Sequence, residues 1–233
     1  KNLDNSRLVS EKTTSSYQQE FRKIAMDMAM VNSYEEWAEL YQRLIYWELQ
    51  LEDIEDSGMF EILESQKVEA NTQFFKFIDK NYNDWFTGKY DAPIMSHTLF
   101  KEKVVPEISK DQPTLLVVID NLRYDQWKAF EPIINNYYKK EREISYCSIL
   151  PTATQYARNS IFSGLMPSEM KKRHPDLWLD DTDEGGKNMN ENEFLTAQLQ
   201  RLGLNIKQEY YKITNEKSGK TLATNFKGLK DND

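Results

Sequence analysis

Along the first third of the chain, apolar residues return every three or four positions. Tyr17, Phe21, Ile24, Met28 and Val31 draw one stripe along a helix. Asn32 and Ser33 break it, and Ser33 with Glu36 has the spacing of a capping box, in which hydroxyl and carboxylate satisfy free amides at a helix start. The next stripe is Trp37, Leu40, Leu44, Trp47 and Leu51, and Asp56-Ser57-Gly58 then punctuates the chain. A third helix carries Phe60, Leu63, Ala70, Phe74, Phe77 and Ile78 inward. Three amphipathic helices on short turns predict an antiparallel three-helix bundle over residues 1–86 with solvated Glu and Lys faces.

The pattern changes after a junction at residues 87–113, where Ser96 opens a short helix and Pro106 and Pro113 bracket a loop. Leu115–Ile119 is an unbroken apolar run of strand length that stops at Asp120. Such a run predicts a central strand buried on both faces. Ile144–Leu150 reads as a second strand, ended by Pro151. Between the two lies a helix with Trp127, Phe130, Ile134 and Tyr137 inward and Pro132 inside it. Strand, helix, strand is the right-handed parallel unit. Helices follow from near Gln155 to Gly164 and from Asn190 to Gly203, and Ile206–Thr214 with Thr221–Phe226 reads as a hairpin or strand-loop-strand. Residues 114–233 are therefore expected to form part of an α/β domain with a mostly parallel sheet.

Composition narrows the partners. A net charge of -8 and a pI near 5.0 argue against a surface that coats nucleic acid generally, while leaving room for a local basic pocket. Cys147 is alone, so no internal disulfide forms, and a reducing, cytoplasmic setting fits. No stretch has the length of a membrane span. The chain opens on Lys1 and ends on a polar tail from Lys230, which suggests a piece of a longer protein.

Candidate chemistry gathers at two predicted strand tips. Open α/β sheets place ligands at the carboxyl ends of their strands. Asp120 there stays ionised only if something positive meets it, and a metal ion is the obvious candidate. Thr152 and Thr154 precede a helix whose first amides can receive the oxygens of an anion. Carboxylate and hydroxyl together point to metal-assisted attack on phosphorus. Asp120 and Thr154 also suit helix capping, and Arg123 and Arg158 suit structural ion pairs. His97 and His174 read as capping or structural residues, and Asp180, Asp181 and Asp183 as a solvated turn. No nucleophile elbow, Walker loop or dinucleotide fingerprint occurs.

The segments 118–127 (VIDNLRYDQW) and 150–159 (LPTATQYARN), with Gly164–Pro167 ten residues after Thr154, resemble the alkaline phosphatase superfamily. More narrowly, they are similar to the PglZ domain of PorX-type response regulators, in which a receiver domain, a three-helix bundle and a PglZ domain follow one another. The resemblance implies a zinc-dependent phosphodiesterase on nucleotides or oligonucleotides. Asp120 would be a zinc ligand and Thr154 both nucleophile and zinc ligand. Arg123, Arg158 and Asn159 would contact substrate, and the complete domain would hold two zinc ions. It further implies a cytoplasmic two-component regulator of type IX secretion, with a sensor histidine kinase and other regulatory proteins as partners and a homodimer on activation. The pattern departs at Ala157, where relatives carry Asn, and in the shortage of further Asp and His ligands. This chain by itself is thus expected to bind metal poorly and to be inactive, the activity belonging to the parent protein. The competing reading is a non-catalytic signalling scaffold or transcription-related regulator.

Overall fold

A computed structural model describes residues 2–52, 57–88, 91–109, 111–226 and 228, with residues 2–11 and 57 described by backbone alone. The turn residue expected at Asp56 and the tail from Lys230 lie outside the described residues. The chain divides into two compact units, residues 1–93 with 121–145, and residues 94–120 with 146–233.

The first unit is built on α1 (Asn2–Met28), α2 (Tyr34–Leu51) and α3 (Ser57–Asn81). Ser33 caps α2 as the spacing implies: its side chain accepts from the Glu36 amide at 3.2 Å, and Glu36 accepts from the Ser33 amide at 3.1 Å. The backbone amides of Asn32, at 2.7 Å, and Ser33 hold the Glu36 carboxyl below its ordinary range. Tyr17, Ile24, Met28, Trp37, Leu40, Leu44, Leu51 and Leu63 form one buried core. Trp37 meets the rings of Phe74 and Phe77 at 5.6 and 6.2 Å, whereas Lys67 reaches Glu48 at 2.6 Å. Early positions of α2 thus face late ones of α3, so the two run antiparallel. A polar latch crosses the core: Tyr17 Oη donates to Gln66 Oε1 at 3.3 Å, and Gln66 Nε2 donates to the Phe21 carbonyl at 3.0 Å. Both partners are buried, so each satisfies what the other would leave stranded.

A fourth helix, which we number α5 (Tyr124–Ile134), belongs to this unit, with the Tyr124 ring 6.1 Å from that of Tyr41 on α2. Glu143 ties the following segment back to it. Its carboxylate accepts from Tyr124 Oη at 2.7 Å and Trp127 Nε1 at 3.3 Å, and meets Lys128 at 3.3 Å and Lys140 at 3.1 Å. Burial pushes the Glu143 carboxyl up, but these donors and the lysine charge outweigh it and hold it at about 2.

In the second unit, α4 (Ser96–Leu99) continues through a π-helical stretch (Phe100–Val104) and a 3-10 turn (Val105–Glu107). It is followed by α6 (Thr154–Ser163), α7 (Pro167–Arg173), α8 (Glu191–Arg201) and α9 (Glu216–Asn225). Phe162, Leu165, Met170 and Phe194 form one buried cluster, with Leu177, Trp178, Leu195 and Tyr210 against it. α6 ends where Gly164 takes the left-handed conformation, φ 61°. Its last carbonyls find donors on α8: Gln198 Nε2 reaches those of Ile161 and Phe162 at 3.0 and 2.8 Å, and Arg201 reaches that of Ser163. A Cβ at Gly164 would lie 2.1 Å from Gln198 Oε1, so only glycine admits this close approach.

The expected α/β domain with a mostly parallel sheet is not what the chain forms. The described residues contain no strand, only an isolated parallel bridge between Met95 and Cys147, with the Cys147 amide on the Ile94 carbonyl at 2.7 Å. Leu115, Val117 and Ile119 are 60, 64 and 55 % exposed, not buried between helices. The helix expected as a parallel crossover is α5, which packs in the first unit instead. The expected second half of the hairpin, Thr221–Phe226, is mostly helix α9. Asn215 caps it by accepting from the Ser218 amide at 3.0 Å. Apolar runs have strand propensity, but a ladder needs partner backbones, and beyond the single Met95–Cys147 bridge none pairs with these runs among the described residues.

Replacing Leu44 by Ala removes a side chain that is 3 % exposed. It is expected to cost about 2–5 kcal/mol in urea unfolding; a cost under about 0.5 kcal/mol would show that Leu44 lies outside the core. The Glu143 contacts predict acid sensitivity. Because its folded carboxyl sits near 2, below the ordinary 4.5, its contribution is present above about 4.5 and is lost as pH falls toward 2. Glu143→Gln should lower the urea midpoint near neutrality and flatten its fall across that window; parallel curves for the two proteins would contradict the assignment.

Candidate phosphoester site at the start of helix α6

Thr154 and Arg158 stand four residues apart on α6, so the helix itself places them on one face. Thr154 opens the helix, after Ala153, which has no side-chain cap to offer. Its hydroxyl lies 3.5 Å from Asp120 Oδ1, at the long end of a hydrogen bond. Arg158 Nη1 lies 2.9 Å from Asp120 Oδ2. The carboxylate, the hydroxyl and the guanidinium that the sequence singles out are thus neighbours. Asp120 remains half exposed, and Asn121 after it adopts a left-handed conformation, φ 58°, that Asn tolerates better than most residues.

Behind this trio lies a carboxylate that sequence reasoning missed. Glu191 opens α8 with 2 % of its side chain exposed. It accepts from Arg158 Nε and Tyr210 Oη, and Lys212 Nζ lies 3.1 Å from its Oε2. Burial, then the hydrogen bond to Glu191 and its charge, push the Tyr210 phenol upward. Lys212 also donates to the Asn188 carbonyl. Asn188 Nδ2 in turn donates to the Thr154 carbonyl at 3.0 Å and to Asn159 Oδ1 at 3.2 Å. No local signal marks Glu191, because Asn190 and Glu193 on either side of it read only as the cap of a helix. Asp181 is a second residue whose role emerges only in three dimensions, accepting from Gln155 and from Tyr156 Oη at 2.6 Å.

Asn159 is 2 % exposed, and its amide holds the Lys187 carbonyl at 3.0 Å, a structural clasp. Arg123 belongs to the first unit, where it pairs with Asp125 at 2.6 Å across the first turn of α5. His174 ends α7 and meets the Phe194 ring edge-on at 6.0 Å. Burial of His97 pushes its imidazole down. Burial likewise raises the Cys147 thiol to about 11, where it is a poor nucleophile.

Whether these residues fit zinc can be judged from the donors present. A tetrahedral zinc takes about four N, O or S donors. Asp120 and Thr154 supply oxygens, but one carboxylate oxygen of Asp120 already faces Arg158. Among the described residues no group of three or more His, Cys, Asp or Glu is placed to hold a metal ion. The set does not by itself make a zinc site. This chain, equilibrated with zinc and desalted, should retain sub-stoichiometric metal by mass spectrometry; stoichiometric zinc that Asp120→Ala abolishes would show a complete site.

Comparison with known families bears on both units. A family model described as the PorX response regulator linker domain matches residues 7–86, and one described as the BREX system PglZ alkaline phosphatase-like domain matches residues 99–227. No curated protein matches the chain in a search by sequence. The second model spans more than half of the 233 residues and contains Asp120, Thr154 and Arg158. With a PorX linker followed by a PglZ alkaline phosphatase-like domain, the chain belongs to the PorX-type regulators.

Proposed function

We propose that this protein is a cytoplasmic response-regulator output protein whose PglZ region is a phosphodiesterase, with Thr154 as its nucleophile. The observation that carries the reading is the Thr154 hydroxyl beside Asp120 at the first turn of α6, with Arg158 against the same carboxylate. In the proposed reaction Thr154 Oγ forms a bond to phosphorus as the bond to the leaving oxygen breaks in line. Asp120 is the base within reach of the hydroxyl proton. The first amides of α6 and the Arg158 guanidinium face the added negative charge. Water then cleaves the phosphothreonine, releasing a phosphate monoester and restoring the hydroxyl. The substrate class is a nucleotide or short oligonucleotide diester. A sensor histidine kinase and other secretion-system regulators are the proposed partners of the parent protein. No helix among the described residues is long and apolar enough to cross a membrane. No step is assigned to zinc, since the donors above do not complete its site.

A non-catalytic signalling scaffold is the second reading, favoured by the salt bridge that occupies Asp120 Oδ2. Turnover separates the two. The full-length protein is expected to hydrolyse bis-p-nitrophenyl phosphate or a short RNA, and Thr154→Ala to lower the rate at least about a hundredfold with its melting temperature kept. Equal rates for the two proteins would remove Thr154 as nucleophile, and no turnover by either would leave the scaffold.

A further inference from the structure

We infer that Glu191 is the positioning residue of this site, the buried anchor that sets both Arg158 and the start of α6. A carboxylate with 2 % of its side chain exposed must be met by donors, because an unpaired charge in the interior loses its hydration with nothing in return. Here those donors lead outward to the candidate nucleophile by two routes. On the first, Arg158 gives its Nε edge to Glu191 and turns Nη1 to Asp120 at 2.9 Å, so Glu191 dictates how the guanidinium is presented. On the second, Lys212 joins Glu191 to the Asn188 carbonyl, and Asn188 holds the Thr154 carbonyl at 3.0 Å. Glu191 touches neither Asp120 nor Thr154 in any contact the structure shows, so it acts through Arg158 and Lys212. The charges alternate: two carboxylates, Glu191 and Asp120, share Arg158, and Lys212 offsets the remaining one. Without Glu191, Arg158 would keep only the exposed Asp120 as partner and lose the orientation that its five-donor fork takes from two carboxylates at once.

The catalytic consequence rests on Thr154 being the nucleophile; the anchoring itself does not. Two measurements on the full-length protein keep the two apart. In protein carrying isotope-labelled arginine, the Arg158 Nε–H, assigned by Arg158→Lys, is expected to exchange slowly with solvent. Glu191→Gln should speed it at least about tenfold. Unchanged exchange would overturn the anchoring whatever the activity. In bis-p-nitrophenyl phosphate hydrolysis, Glu191→Gln should lower kcat about ten- to a hundredfold with KM within about twofold. The same change should cost less than about twofold in an Arg158→Gln background. Losses that multiply instead would mean a general structural role and overturn the positioning role. Glu191→Asp, which keeps the charge but shortens the reach, should fall between wild type and Glu191→Gln in both assays, and it decides the matter if Glu191→Gln fails to fold. Activity unaffected by Thr154→Ala would remove the nucleophile while leaving the exchange result to decide the anchor.

Discussion

A buried carboxylate imposes a stricter demand on its surroundings than any apolar side chain does, because its donors must arrive with direction as well as proximity. Glu191 makes that demand in the second unit, and its donors come from separate stretches of chain: Arg158 on α6, and Tyr210 and Lys212 beyond α8. Satisfying it draws the start of α8, the middle of α6 and the segment after α8 together. The far ends of the same two helices are joined by a different device, in which Gln198 and Arg201 of α8 take the last carbonyls of α6. With α6 held at both ends, the position of Thr154 is a consequence of packing and not of a flexible loop.

The bundle of the first unit relies on a weaker constraint, shape. Its core is aliphatic and aromatic, and its ion pairs, such as Arg43 with Glu20 and Asp27, sit partly in solvent where they add little. The Tyr17–Gln66 latch is the exception, since a buried hydroxyl and amide accept only one register of α1 on α3. Specificity in both units therefore comes from a few polar groups placed where water cannot replace a missing partner.

Much of this was legible in the sequence, and the reasons are local. A helix satisfies its backbone with neighbours four residues away, so the stripes through Tyr17, Trp37 and Leu63 name their own helices, Ser33 and Glu36 name a start, and Gly164 names an end. Thr154, expected on the loop before the helix, instead opens α6 and so shares a face with Arg158. The run Leu115–Ile119 misled because a strand is completed by another strand. Apolar content says that a segment can enter a sheet, and says nothing of whether a partner is there. The chain carries the motifs of an alkaline phosphatase-like family while its described residues form helices and unpaired segments. Asn215 and Ser218 were a readable cap that the apolar pattern of Thr221–Phe226 obscured.

The sequence by itself determined most of the segments that coil, though not α9, where most of those helices begin and stop, and that Asp120, Thr154 and Arg158 are chemically capable groups near two matching motifs. Only the tertiary structure decided that Asn159 faces inward and clasps the Lys187 carbonyl, that α5 joins the bundle, and that Glu191 lies beneath the site. The physical reason is range. Helix hydrogen bonds and caps close over a few residues and leave their mark in the local pattern, whereas the burial of a charge is settled by donors 19 to 33 residues away, which no window of the sequence contains.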